Sequence, residues 1–187
     1  MIKKTLIVLS LLLITFVTSA YTKPEVYRID AQKNATMHND LGLAAVSEQN
    51  YLEAIEQFGL AINLNPRTQA TATYLNNLGE VYMKVGYYKY AQKCFEDAIK
   101  QYNLNFLFYQ NLVSSYKAQK LVKTKIKLYE NKKDNNPLNM VMLGLLYVAN
   151  GDKRRGIIKL DEFCMREPDL LITGAVSNYI KSLIPKK

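Results

Sequence analysis

The sequence predicts an all-α solenoid of about four stacked helical hairpins, closed by one further helix. Three observations predict it. The pairs Leu41-Gly42, Leu78-Gly79 and Leu143-Gly144 recur with the same neighbours at the same offsets. Behind them come small and large residues at helical spacing: Ala54, Phe58, Ala61; then Ala91, Phe95, Ala98; then Gly156 and Leu160. Gly86 and Gly151 stand between the two halves of the second and fourth units. A spacing held in register across many residues means one helical hairpin used several times. A plain bundle with chance Leu-Gly pairs would not keep three copies aligned.

The chain has 187 residues, enough for one core but not for two large domains. Its first twenty residues read as an export address. Lys3-Lys4 is followed by an apolar run from Leu6 to Val17 and by the small residues Thr18-Ser19-Ala20. A basic start, a short apolar core and a small-residue end make a secretory signal peptide, cut after Ala20. The alternative is an uncut N-terminal anchor. A full span wants about 20 apolar residues, and this run is shorter. With the lysines held on the cytoplasmic side, both readings export the rest of the chain. No Cys stands near the cut, which argues against a lipid-anchored lipoprotein. The shape of this segment and the richness in Lys, Asn, Ile and Tyr suggest a bacterial, periplasmic or secreted protein from an AT-rich genome. Asn34-Ala35-Thr36 is a glycosylation sequon that matters only on a eukaryotic route. Residues 21–34 are a linker or a short lead-in helix.

From about Ala35 the pattern of the hairpins takes over. In the first unit (35–68) the aligned residues are His38, Leu41, Gly42, Ala54, Phe58, Ala61 and Pro66. In the second (72–105) they are Leu75, Leu78, Gly79, Tyr82, Ala91, Phe95 and Ala98. In the fourth (137–168) they are Met140, Leu143, Gly144, Tyr147, Gly156, Leu160 and Pro168. The glycines lie inside helices, where Gly costs about 1 kcal/mol against Ala, a cost tolerated where another helix must come close. Ala54 and Ala61, seven apart, share one face, and Phe58 falls between them to fill the gap.

The third unit (106–136) is degenerate. Tyr109, Leu112 and Tyr116 keep the first helix, but Val113 replaces the Gly. In strict register Lys125 and Lys132 fall on the small-residue positions. A turn one residue shorter puts Thr124, Leu128 and Asn131 there, and that packing is the better expectation. Either way this hairpin should be the loosest. After Pro168 (169–187), Leu171, Ala175, Val176, Tyr179, Ile180 and Leu183 form the stripe of an amphipathic capping helix over about Asp169 to Ile184, which covers the last open core. Pro185-Lys186-Lys187 stops it.

This segment resembles the tetratricopeptide repeat family, whose pattern is a large residue, Leu-Gly and Tyr on a first helix, then Ala, an aromatic, Ala and Pro on a second. Ala45 stands where Tyr is usual and Asn103 replaces a Pro. The resemblance implies a right-handed superhelix whose first helices line a concave groove that holds a partner protein or peptide. Carried over by position, the groove residues are Asn39, Leu43 and Val46; Asn76, Asn77, Glu80, Met83 and Lys84; Gln110, Asn111, Ser114 and Lys117; and an apolar shelf of Val141, Leu145 and Val148. Asn and Gln each offer a donor and an acceptor to an extended backbone. Lys84 and Lys117 can meet a carboxylate. Asn77 matches one position of a carboxylate clamp known in the family, but the Lys and Arg partners of that clamp are not in place.

Charge marks a second candidate surface. The formal charge of +9 is uneven: residues 21–100 carry eight basic and nine acidic side chains, residues 101–187 fifteen and seven. Lys120, Lys123, Lys125 and Lys127 form the run, and Lys153, Arg154 and Arg155 add to it from the next turn. Such a run is either a solvated face or a contact for an anionic membrane, an envelope polymer or an acidic partner. Nucleic acid fits the charge but not an exported protein.

Catalytic signatures are missing. There is no Gly-rich phosphate loop, no H-E-x-x-H and no G-x-S-x-G. The one His, His38, sits at a packing position and reads as structural. Cys94 and Cys164 lie two repeats apart on second helices, beyond disulfide reach, and read as free thiols. No metal or cofactor is expected, and no enzymatic activity.

Overall fold

Nine α-helices and no strand occur among the residues that the computed structural model describes, 30–132 and 135–184. They are α1 (Ala31–Ser47), α2 (Tyr51–Leu64), α3 (Gln69–Lys84), α4 (Tyr88–Gln101), α5 (Phe106–Ala118), α6 (Val122–Glu130), α7 (Leu138–Ala149), α8 (Lys153–Arg166) and α9 (Thr173–Leu183). The export address, most of the lead-in and the basic tail lie outside the described residues. Ala31–Lys187 is one compact unit. The first repeat helix begins at Ala31, inside the segment read as lead-in.

One turn shape joins every hairpin. Asn50, Tyr87, Leu121 and Asp152 each donate a backbone N–H to the carbonyl five residues back, on Ala45, Tyr82, Tyr116 and Tyr147, at 2.8–2.9 Å. Closing a helix this way needs a left-handed residue just before the donor. Gly86 (φ 81°) and Gly151 (φ 92°) supply it in the second and fourth hairpins, Gln49 (φ 61°) and Lys120 (φ 59°) in the first and third. Each of these residues stands eight after the Leu of its unit. The third turn is therefore full length, and the shorter turn expected from the sequence is wrong. Thr124 and Leu128, expected to pack, are exposed, while Val122 and Ile126 are buried. Lys125 and Tyr129 take the strict register, half-buried. Lys125 manages this by laying its ammonium 4.4 Å over the Tyr116 ring.

The close approach inferred at the Leu-Gly pairs is present. A Cβ on Gly79 would stand 2.5 Å from Phe95 Cε1, and one on Gly42 would stand 2.7 Å from Phe58 Cε1. On Gly144 it would meet Leu160 Cγ at 2.6 Å. The seam residues Ala54, Phe58, Ala61, Ala91, Phe95, Ala98, Leu160 and Phe163 are all fully buried. Val113 denies this approach to the third hairpin. Tyr129, at the aromatic position, stays half-buried. The helix that carries it, α6, has nine residues against fourteen in α2, α4 and α8, and it packs more on α7 than on α5. A cleft of about 280 Å³ remains between Glu96, Tyr109, Tyr116, Tyr129 and Met142.

Leu41 is half-exposed while Leu143 is buried. The difference is position: α1 is the first described helix, so no described hairpin covers its outer side. Side-chain caps mark the helix starts. Asn50 accepts from the Glu53 N–H, Asp152 accepts from the Arg155 N–H, and Thr68 forms a capping box with Thr71.

The terminal helix starts later than expected, at Thr173. Residues before it turn, with the Thr173 hydroxyl donating to the Glu167 carbonyl at 2.5 Å. Within the helix the expected stripe holds at Val176, Tyr179, Ile180 and Leu183, all buried or half-buried. Leu171 and Ala175, placed in the buried stripe by the sequence, are exposed, and Ile172 joins Val176 and Ile180 in the core. That core is one cluster with Val141 and Leu145 of α7 and Phe106 of α5.

Candidate functional site

The face formed by α1, α3 and α5 carries the amides picked out in the sequence, and they are bonded to one another. Asn77 Nδ2 donates to Asn39 Oδ1 at 2.9 Å. One repeat later Asn111 Nδ2 donates to Asn76 Oδ1 at 2.9 Å and to Glu80 Oε1 at 2.8 Å. Asn76 Nδ2 closes the group on Glu80 Oε1 at 2.9 Å, and Asn39 Nδ2 reaches Asp40 Oδ1 at 3.2 Å. The same bond is thus made twice. The residue before Leu donates to the residue two before Leu in the preceding unit.

The amides divide into two kinds as a result. Asn39 and Asn76 are buried, 8% and 2% exposed, and hold the first helices together. Their assignment to an open groove surface is corrected: they lie under it. Asn77 and Asn111 are half-buried, and their Oδ1 atoms take no hydrogen bond among the described residues. Leu43, Lys84, Ser114 and Lys117 are exposed, and Glu80, Met83, Gln110 and Val46 half-buried. No ion pair holds Lys84 or Lys117 among the described residues.

The apolar shelf expected on the fourth unit is covered. Val141 and Leu145 are buried in the cluster that holds Ile172, Val176 and Ile180 of α9. The terminal helix lies where the shelf was expected, and Tyr179 sets its ring 5.4 Å from Phe106. A cleft of about 280 Å³ remains beside it, lined by Gln110, Ser114 and Lys117 of α5, Leu145 and Val148 of α7, and Tyr179. Tyr179 was read from sequence only as part of the buried stripe. Nothing in its local spacing signals that it borders a cleft, because that depends on where α9 crosses.

The basic residues differ in what surrounds them. Lys120, Lys123, Lys127, Lys153 and Arg154 are exposed. Lys125 and Lys132 lie over the rings of Tyr116 and Tyr129. Arg155 stacks 4.5 Å over Tyr147 and pairs through Nε with Asp152 Oδ2 at 2.6 Å. The hydrogen bonds from the Arg155 backbone and side chain hold the Asp152 carboxyl below its ordinary pKa. A cluster missed in the sequence stands at the second turn: Tyr82, Tyr87 and Tyr90 pack ring to ring at 5.5–6.4 Å, with Tyr87 and Tyr90 exposed. Its signal was available as the run Tyr87-Tyr88-Lys89-Tyr90 directly after the turn glycine.

The groups with chemical potential elsewhere are structural. His38 is half-buried, with Nδ1 2.7 Å from Gln57 Oε1, and Gln57 Nε2 donates to Glu53 Oε1. Cys94 and Cys164 are free thiols, and burial pushes Cys94 up to about 12. No group of three or more His, Cys, Asp or Glu placed to hold a metal occurs among the described residues. No helix of the described residues is long and apolar enough to cross a membrane.

Comparison with known proteins agrees with this architecture. The family model described as tetratricopeptide repeat matches residues 35–68 and 72–103, the first two hairpins. Among solved structures, a tetratricopeptide repeat protein from Parabacteroides merdae superposes with a TM-score of 0.51 at 14% identity, over 81% of this chain and 60% of its own. The TPR domain of Arabidopsis OM64 gives 0.46 at 14% identity, over 82% of this chain and 99% of that one. Pseudomonas aeruginosa pilF gives 0.49 at 14%, over 80% and 68%. No curated protein matches the sequence. Repeats of this kind are in general scaffolds for protein–protein interaction. Two hairpins match the tetratricopeptide repeat model and two more repeat the same turn, so the chain carries tetratricopeptide repeats.

Proposed function

We propose that this protein is an exported adaptor that holds an extended segment of a partner protein across the face of α1, α3 and α5, in the service of an envelope or secretion assembly. One observation carries the reading. Asn77 and Asn111 are locked by their own donors, so each presents a fixed, open Oδ1 acceptor at repeat spacing along one face. An extended chain offers backbone N–H groups to such acceptors whatever its side chains are. Lys84 and Lys117 stand exposed beside the row and favour an acidic segment. The cleft at Tyr179 gives its end a seat of mixed polar and apolar lining. The export half of the proposal rests on the basic-then-apolar start of the sequence.

The test is a crosslinking capture from native cells with wild type beside Lys84→Glu/Lys117→Glu. Both lysines are exposed and make no ion pair among the described residues, so the variant should keep its helical content. A discrete protein recovered by wild type and lost with the folded variant supports the adaptor. Equal recovery by the two refutes it. Asn76 is the wrong probe, because its loss would disturb the helix packing itself.

A further inference from the structure

The four hairpin turns share one geometry, so all of them stand at the same ends of the first helices. The second and third touch. Gln119 Nε2 donates to the Tyr88 carbonyl at 3.3 Å and to Gln92 Oε1 at 2.9 Å. Between these turns lies an open cleft of about 480 Å³, lined by Tyr87, Tyr88, Lys89, Tyr90, Gln119 and Leu121. Tyr87 is 58% and Tyr90 65% exposed, unusual for neighbouring aromatic rings in a single chain.

At the second, third and fourth turns the charge has one sign, whereas the first turn carries Glu48 and Glu53 and stays outside the basic edge. The turn segments 84–90, 117–123 and 150–155 hold eight Lys or Arg and a single acid, Asp152, which is already paired with Arg155. Lys89, Lys120, Lys123, Lys153 and Arg154 are exposed and outside any ion pair among the described residues. We propose that this turn edge docks the protein on an anionic phospholipid surface, with the Tyr87–Tyr90 cluster seated at the headgroup level and the lysines against the headgroup charge. Charge complementarity selects the anion. The rings select a lipid surface over a soluble polyanion, because tyrosine, apolar in body and polar at the tip, settles where water meets acyl chain. Lys84 and Lys117 border the peptide-holding face as well, but Tyr87, Lys89 and Lys120 are no part of it, so variants at those three positions separate the two readings.

The chain contains no Trp, so one indole is a unique reporter. The full-length Tyr87→Trp protein is titrated with phosphatidylglycerol vesicles and with phosphatidylcholine vesicles. Its emission should shift to the blue on the first and not on the second. Leu171→Trp serves as the control. It is 74% exposed just beyond the far end of α8, about 20 Å away along a fourteen-residue helix, and should not shift. Each lysine at an anionic surface is worth about fivefold in affinity, so adding Lys89→Gln/Lys120→Gln to the Tyr87→Trp protein should weaken its response roughly twenty-five-fold. Indole emission from Tyr87→Trp that stays put while the chain sediments with phosphatidylglycerol overturns the proposal. So does an equal shift on the neutral vesicles. An equal shift with soluble polyglutamate also overturns it, and points to an acidic protein at this edge.

Discussion

Gly79→Ala tests the central packing argument, and its sign is not the one helix propensity gives. Ala at an interior helix position gains about 1 kcal/mol over Gly. Here the new Cβ would stand 2.5 Å from Phe95 Cε1 and 2.9 Å from its Cδ1 and Cζ. That is roughly 1 Å short of ordinary carbon contact at about 3.5–4.0 Å. The obstacle is a rigid ring, fully buried between Ala91 and Ala98, so it cannot swing away as a flexible chain end would. Overpacking a filled core costs about 1–3 kcal/mol, and an enclosed aromatic belongs at the top of that range. The net is a loss of about 2 kcal/mol. Gly59→Ala is the control. It too lies inside a helix, α2, but nothing stands within 4 Å of its added Cβ. It should gain about 1 kcal/mol. Urea unfolding followed by far-UV circular dichroism reads both, and the midpoints should move in opposite directions. A Gly79→Ala midpoint that rises with that of Gly59→Ala would refute the claim that the Leu-Gly glycines exist to admit the facing helix.

Three more perturbations have defined outcomes. Lys120→Gly should raise stability by about 1 kcal/mol, because Lys120 holds φ 59° where the second and fourth turns use Gly; a lower urea midpoint would count against the shared turn. Asn76→Ala should lower it by about 1–3 kcal/mol, since it strips a bond from the Asn111 donor beneath the surface, and a neutral result would return Asn76 to the solvent-facing class. Stability should fall on the alkaline side. Burial keeps the Cys94 thiol protonated up to about 12 and raises the Tyr109 and Tyr116 phenols as well, whereas in the unfolded chain a thiol ionises near about 8.5 and a phenol near about 10. Above about pH 8.5 the folded state therefore binds more protons than the unfolded one, and stability drops by about 1.4 kcal/mol per pH unit for each such group until its folded pKa is reached. Urea midpoints that match at pH 8 and pH 10.5 would contradict that.

The hairpins were legible because their signal is local and redundant. Leu41, Leu78 and Leu143 each fix a phase, and the small residues thirteen on confirm it. The third hairpin lost this redundancy, and the preference for a shorter turn came from avoiding Lys125 at a buried position. Physically the objection fails because a lysine stem is apolar and its ammonium can rest on a ring, as it does on Tyr116. The better clue was Val113. A Cβ there already says that the facing aromatic cannot enter, and hence that α6 must stand away from α5. The capping helix was legible in kind and in its stripe from Val176 to Leu183, but not at its start. Its start depends on the Thr173–Glu167 bond, which closes a turn that no periodicity in Leu171–Leu183 records.

Site residues were legible by type and face, and not by partner. Asn39, Asn76, Asn77 and Asn111 look equivalent in the sequence, each near a Leu on the exposed side of a first helix. Their difference is one residue of offset. At two before Leu, 100° per residue turns the side chain under the neighbouring helix, and at one before Leu it reaches back over that helix. Which of the two faces outward depends on how far one repeat is displaced along the next, and that is not written in the spacing of either repeat alone. The lysines show the same limit. Counting charge could not show that Lys125, Lys132 and Arg155 lie over rings, or that Arg155 is also paired with Asp152. What remains exposed is sorted by the turns, which place Lys89, Lys120, Lys123, Lys153 and Arg154 on one edge, away from the amides. The hairpin repeat that hides some of the expected groups thus also separates the rest into two surfaces, one of fixed acceptors along the first helices and one of cations and tyrosines at their ends.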